Sequence, residues 1–337
     1  MKRIEFSVIT VVKNDLRGLK KTRKCLENQK YTNWHHIIID GGSSASTKNY
    51  LKTLPKSNTT YISEDDSGIY HAMNKGWKIA SANSYVYYLN ARDVFASENS
   101  LQDAAKVLAK SNLPEWGCAT HEEINSDGSG WVCKLVSQPS IENQLYAFGY
   151  RSHQAVLMKQ EMLLSLGGFD LRFKIAADWD LIVRAMKISS PVVWKESLGR
   201  FELGGYSSNR LLDAHRELRF LRRQYIGRSI RIQILDEIWS MIFLKSLGYT
   251  NLIMRLTSRL KLLLNFKLSL NLRRTLVSNL NKFLQLFDLE VVSHTRRKLR
   301  RSRKSYRLKN MLRRFKFLIR QKLIEFILNR LKVSKYS

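Results

Sequence analysis

The sequence predicts an α/β fold with a Rossmann-like, mostly parallel sheet, followed by a basic α-helical C-terminal extension. Three observations carry that expectation. Strand-length apolar runs alternate with helix-length segments through roughly the first ninety residues, which is the βαβ pattern of a parallel sheet. Two of those runs stop on a carboxylate, at Asp40 and Asp93. After Asn209 the composition changes to Leu, Arg and Lys with almost no Gly or Pro, so the domains are expected at residues 1–209 and 210–337.

The elements follow in order. Phe6-Ser7-Val8-Ile9-Thr10-Val11-Val12 reads as a buried strand, with a turn at Lys13-Asn14-Asp15 and a helix through about Gln29. His36 to Ile39 is a second strand and Thr60 to Ser63 a short third. Ile69 to about Ala82 reads as a helix and Tyr85 to Leu89 as a fourth strand. From about Ala96 to Leu166 the pattern is mixed, with turn residues at 125–130, and Leu181 to Ile188 is a helix opened by Asp178 and Asp180.

Charge is distributed unevenly. Of the formal +30, about +5 belongs to residues 1–209 (26 Lys/Arg, 21 Asp/Glu) and +25 to residues 210–337 (32 and 7). That asymmetry points to an anionic partner for the C-terminal region. Cys25, Cys118 and Cys133 have no C-x-x-C spacing, which argues against a disulfide framework or a zinc site and for a reduced cytosolic setting. The chain enters a strand pattern at once, without a secretory signal, and no run of eighteen apolar residues predicts a spanning helix.

Neither G-x-x-x-x-G-K-[ST] nor G-x-G-x-x-G after a strand is present, so a P-loop and a dinucleotide fingerprint are excluded. A nucleotide bound here would then leave much of its phosphate charge to a metal. Asp93 is the natural ligand, because hard divalent ions take oxygen donors and keep sites for water and phosphate. Taken singly, each acid has a structural reading: Asp40 as a turn former, Asp93 as a strand terminator, Asp178 and Asp180 as helix caps. Together they fall at element ends of one α/β pattern, where ligands of such sheets gather.

Those residues resemble family 2 glycosyltransferases with the GT-A fold. The matching words are Ser7 to Asn14, Ile37 to Ser43, Glu64 to Gly76 (Glu-Asp-Asp-Ser-Gly-Ile-Tyr-His-Ala-Met-Asn-Lys-Gly) and Leu89-Asn90-Ala91-Arg92-Asp93. His153-Gln154, Gly168-Phe169-Asp170, Lys174 to Leu181 and Gly204-Gly205-Tyr206-Ser207 continue them in order, covering roughly residues 4–209. The resemblance implies a nucleotide-diphosphate-sugar donor and a Mn²⁺ or Mg²⁺ cofactor. It implies that Thr10, Asn14, Asp40, Glu64 and Asp66 serve the donor, with Asp40 on the base. It further implies that Asp93 holds the metal, that Asp178 is the catalytic base of an inverting transfer, and that His153, Gln154 and Asp180 lie on the acceptor side. Arg92, where relatives often carry Asp or Gly, either contacts donor phosphate or opposes the metal.

The C-terminal region has its own pattern. From Leu308 to Leu331 apolar residues recur at three- and four-residue spacing, with Arg313, Arg314, Lys316, Arg320 and Arg330 mostly off that stripe. A basic cluster, Arg296 to Lys304, precedes it. Such a helix suits an anionic membrane surface, and with it peripheral attachment at the inner face of the cell membrane. Packed helices with a solvated basic face are the alternative, and nucleic acid is disfavoured because interleaved stacking aromatics are missing. The function expected is sugar transfer to a glycan or lipid-linked acceptor in polysaccharide biosynthesis. The other reading is a non-catalytic protein of the same fold acting as a basic membrane- or nucleic-acid-binding module.

Overall fold

The computed structural model describes residues 3–124, 130–133, 140–145, 152–202 and 210–227, with Gln233, Asp236, Glu237 and Ser240 singly. The chain divides into two compact units, Met1–Ile226 and Gly227–Ser337. The expected amphipathic helix over 308–331, the basic cluster at 296–304 and the 204–207 word lie outside the described residues.

The first unit is built on a nine-stranded sheet. Its strands are β1 (Phe6–Val12), β2 (Trp34–Asp40), β3 (Thr59–Ser63), β4 (Tyr85–Tyr88), β5 (Val94–Phe95), β6 (Trp116–Ile124), β7 (Gly130–Cys133), β8 (Val156–Lys159) and β9 (Val192–Glu202). They run in the order β3-β2-β1-β4-β8-β6-β9-β5, with β7 on β6. β3, β2, β1 and β4 are mutually parallel, as the alternating pattern predicts. Beyond β4 the sheet becomes mixed: β8 is antiparallel to β4 and to β6, and β9 parallel to β6.

Period-two alternation explains how the sheet buries both faces. On β4, Tyr85 and Tyr87 join Phe6, Val8 and Phe95 on one face, while Val86 and Tyr88 join Ile9, Val11 and Trp116 on the other. Helix α1 (Leu16–Glu27) starts where Asp15 accepts the Gly18 N–H at 3.0 Å, and it buries Leu19, Thr22, Arg23 and Leu26 at helical spacing. Helix α2 (Ala45–Lys52) fills the second crossover, a helix the sequence pattern does not announce. Helix α3 (Ile69–Lys78) lies close to β1 because Gly76 has no side chain: a Cβ there would sit 2.6 Å from Ile9 Cγ2.

Helices α4 (Ser100–Lys110), α5 (Ile141–Leu145) and α6 (Gln160–Leu166) complete the middle of the chain. Helix α7 (Ala177–Ile188) begins four residues earlier than its apolar spacing suggests, so Asp178 and Asp180 lie inside its first turn instead of ahead of it. Helix α8 (Leu211–Tyr225) follows the change of composition yet belongs to the first compact unit, which ends at Ile226.

Candidate functional site

Beyond the carboxyl ends of β1 and β2 opens a cleft of about 390 Å³, lined by Val12, Lys13, Gly41, the Asp66–Ala72 segment, Leu171, Phe173 and Lys174. Its mixture of apolar walls and a few polar groups is that of a small-molecule site. Gly41 lets the loops converge, since a Cβ there would stand 3.1 Å from Asp66 Oδ2. Lys75 binds both Asp66 (2.6 Å) and Glu64 (2.7 Å), and His71 lies 3.3 Å from Asp66. Burial works to lower the Lys75 pKa, but its two carboxylate partners outweigh it and hold the ammonium above its ordinary range. Asn14, in the left-handed region at φ 54°, ties the two strand ends together. Its N–H donates to Ser43 Oγ at 2.7 Å, and its Oδ1 accepts from the Ser44 N–H at 3.0 Å.

Two residues expected at the donor lie behind the cleft. Thr10 is fully buried, and its hydroxyl donates to the Leu89 carbonyl at 2.7 Å while accepting from His36 Nε2 at 2.9 Å. Its even-numbered place on β1 turns it to the α1 side, whereas Val11 lines the cleft. Asp40 is also fully buried. Its carboxylate accepts from Ser63 Oγ at 2.6 Å and from the Ser43 N–H at 3.2 Å, so it organises the Gly41-Gly42-Ser43 turn. Arg92 adopts φ 81°, and its guanidinium is held by Asp15 at the start of α1. That ion pair keeps the Asp15 carboxyl below its usual range although burial works the other way.

A second cluster surrounds Asp178, which is 5% exposed. Oδ1 accepts the Trp179 N–H at 2.9 Å, and Oδ2 lies 3.1 Å from His153 Nδ1. His153 occupies a 3-10 turn, His153–Ala155, and its Nε2 lies 3.2 Å from Asn90 Nδ2. Tyr70 links the cluster to the cleft: it lines the cleft, and its hydroxyl lies 2.6 Å from the Ile175 carbonyl and 3.3 Å from Asp178 Oδ1. Phe169 packs on Tyr70 and Tyr88, and Tyr88 meets His153 edge-on.

Asp93 is 8% exposed, and burial pushes its carboxyl up to about 7 against the opposing pull of His153 and a hydrogen bond from the Gln154 side chain. A buried carboxylate so short of countercharge fits a divalent cation. Among the described residues no group of three or more His, Cys, Asp or Glu is arranged around a metal.

The profile described as Glycosyl transferase family 2 matches residues 7–127. An uncharacterized glycosyltransferase of Mycobacterium tuberculosis is 33% identical over 210 residues, covering 60% of this chain and 77% of that protein. The chain belongs to glycosyltransferase family 2. The amylovoran biosynthesis glycosyltransferase AmsB of Erwinia amylovora is 25% identical over 202 residues, 56% of this chain and 66% of AmsB. The GT-A fold is shared with TarS (residues 1–349) of S. aureus in complex with UDP-GlcNAc, at TM-score 0.53, 13% identity and 72% coverage of each chain. It is shared also with the mannosyltransferase PcManGT of Pyrobaculum calidifontis in complex with GDP-Man and Mn²⁺, at TM-score 0.52 and 17% identity, covering 85% of this chain and 81% of that one.

Within this glycosyltransferase, His153, Gln154, Asp93 and Asp178 come together. Asp180 stands apart from them: it is 1% exposed, its Oδ1 accepts from Tyr225 at 2.6 Å and its Oδ2 from Arg184 at 2.8 Å. Tyr70 and Asn90 stand inside the matching words of the sequence, but nothing there assigns them a role. Glu217, described below, lies beyond the matched words altogether. No helix among the described residues is long and apolar enough to cross a membrane.

Proposed function

We propose that this enzyme is an inverting glycosyltransferase that moves a sugar from a nucleoside-diphosphate sugar to a glycan or lipid-linked acceptor in polysaccharide biosynthesis. The carrying observation is Asp178, a buried carboxylate fixed by the Trp179 N–H and His153 and joined to the cleft by Tyr70.

In this reading the acceptor hydroxyl oxygen attacks the anomeric carbon as the bond from that carbon to the diphosphate breaks, and Asp178 takes the hydroxyl proton as general base. His153 supports the base through Nδ1, 3.1 Å from Asp178 Oδ2. The Asn90 amide donates to Nε2, so the ring hydrogen sits on Nδ1 and points to Asp178. Asp93 would hold a divalent cation, which when bound supplies Lewis-acid stabilisation to the departing diphosphate. The Asp66–Ala72 segment and Lys13 would contact the nucleotide, while Asp40 shapes the turn beneath it. Buried Thr10 is left to support the sheet, and Arg92, bound to Asp15, is a phosphate contact only after leaving that partner. The kinship with an amylovoran biosynthesis enzyme supports the polysaccharide assignment. The +25 charge of residues 210–337 supports peripheral attachment to an anionic membrane.

Calorimetric titration with UDP, GDP and dTDP, with and without Mn²⁺, tests the donor site. Metal-dependent binding of one nucleotide, abolished in Asp93→Ala, is the expected result. Binding that ignores both the metal and Asp93 would remove the metal from the mechanism.

A further inference from the structure

Glu217 on α8 grips the backbone directly ahead of the helix that carries Asp178. Its Oε1 accepts the Lys174 N–H at 2.9 Å, and its Oε2 accepts those of Ile175 at 2.9 Å and Ala176 at 2.8 Å. Ala176 immediately precedes α7, whose second residue is Asp178. The same backbone segment forms a wall of the donor cleft, through Leu171, Phe173 and Lys174. Eight residues farther along α8, Tyr225 makes a second hold by donating to Asp180 at 2.6 Å. Leu221, between the two, is fully buried. One face of α8 therefore fastens the start of α7 at two points.

The chemistry of helix ends explains the first hold. The first N–H groups of a helix have no partner within it and are commonly met by a capping side chain. Ala176, at the cap position, offers none. Glu217, from a neighbouring helix, accepts the N–H of the cap residue Ala176 together with those of the two residues ahead of it, and its negative charge lies at the positive end of the α7 dipole. Hydrogen bonds to an ionised acceptor are shorter and roughly twice as strong as neutral ones. Water would satisfy the same N–H groups without fixing where they stand.

We propose that Glu217 is a positioning residue for sugar transfer, holding the Asp178 helix and the cleft wall in register with each other. The proposal rests on the reading of Asp178 as the base. It also makes the first helix of the basic region a working part of the catalytic unit.

The test uses the full chain with Glu217→Gln, Asp178→Asn and the double variant, and Glu217→Ala for exchange measurements. Glu217→Gln preserves size and loses the charge and one acceptor. Its kcat should fall on the order of tenfold, measured well below the unfolding temperature, with donor KM and Tm nearly unchanged. The double variant should be no slower than Asp178→Asn alone, as for residues acting as a unit. An unchanged kcat, or a double variant in which the two losses multiply, would overturn the proposal. Amide hydrogen exchange without substrate separates this from failure of the functional reading. Glu217→Ala should speed exchange at residues 174–176 whether or not the protein turns over a nucleotide sugar, and unaltered exchange there overturns the clamp by itself. A wild-type protein inactive with every nucleotide sugar, with exchange at residues 174–176 still faster in Glu217→Ala, would sink the base assignment and with it the catalytic role of Glu217.

Discussion

His153 Nδ1 and Asp178 Oδ2 stand 3.1 Å apart, and the neighbouring groups decide which side donates. Asn90 Nδ2 has only hydrogens to offer His153 Nε2, so that nitrogen accepts and Nδ1 donates. Asp178 Oδ2 is thereby held as the acceptor of that hydrogen bond. Replacing Asp178 by Asn keeps shape and removes basicity. Transfer should fall by about 10² to 10⁴-fold, with nucleotide affinity retained. Steady-state rates beside calorimetry read both, and a rate within threefold of wild type would refute the role.

Arg184 joins three partners: Asp180 at 2.8 Å, the Leu166 carbonyl at 2.6 Å and the Gly168 carbonyl at 2.8 Å. Arg184→Leu takes the countercharge from Asp180, whose side chain is 2% exposed, and leaves it the Tyr225 hydroxyl. Loss of a partner from a buried ion pair costs about 3–5 kcal/mol, and the partial exposure of Arg184 places this case at the lower end. Urea unfolding should show that loss, and Arg184→Lys should recover only part of it because one ammonium cannot serve three divergent acceptors.

His36 is buried beside the Arg23 guanidinium, 3.1 Å from Nδ1, and burial first and that charge second push its pKa down to about 3. An unfolded histidine titrates near 6.5. Above that pH both states are neutral and the stability is complete. Below it the unfolded state binds a proton that the folded state refuses, and stability falls by at most about 1.4 kcal/mol per pH unit until pH nears the folded value. His36→Gln should flatten the difference in unfolding free energy between pH 7 and pH 4. An identical slope in both proteins would assign the acid sensitivity elsewhere.

Gly76→Ala introduces a Cβ 2.6 Å from Ile9 Cγ2, the methyl of a β-branched side chain in the middle of β1. Overpacking of this kind costs about 1–3 kcal/mol. Thermal unfolding should move down by several degrees, and Ile9→Val in the same chain, which keeps Cγ2 and removes only Cδ1 at 3.2 Å, should recover little of the loss.

The parallel half of the fold was legible because its cues are local. Alternation, turn residues and strand-ending carboxylates lie within a few positions of one another from Phe6 to Asp93. The mixed half was not, since β9 finds β6 and β5 through pairings such as Val94 with Arg200 that no short window contains. The same contrast runs through the site. Asp180 with Arg184 is an i,i+4 pair visible in the sequence, whereas Tyr225 reaches Asp180 across 45 residues. Thr10 was placed at the cleft by its word, yet the pleat of β1 turns its hydroxyl inward. Glu217 carried no signal because its partners are backbone N–H groups, which every sequence possesses.

The pairing of β5 with β9 has a kinetic consequence. Contacts distant in sequence form late, because the closure entropy of the intervening loop must be overcome before they contribute. β1 to β4 can pair while the rest of the chain is still loose, but Asp93, His153 and Asp178 meet only after β8 and β9 have docked. Refolding followed by pulsed hydrogen exchange should therefore protect Ile9 and Ile37 before Val94 and Gly199. On the proposed reading, the groups that carry transfer are the last part of the enzyme to assemble.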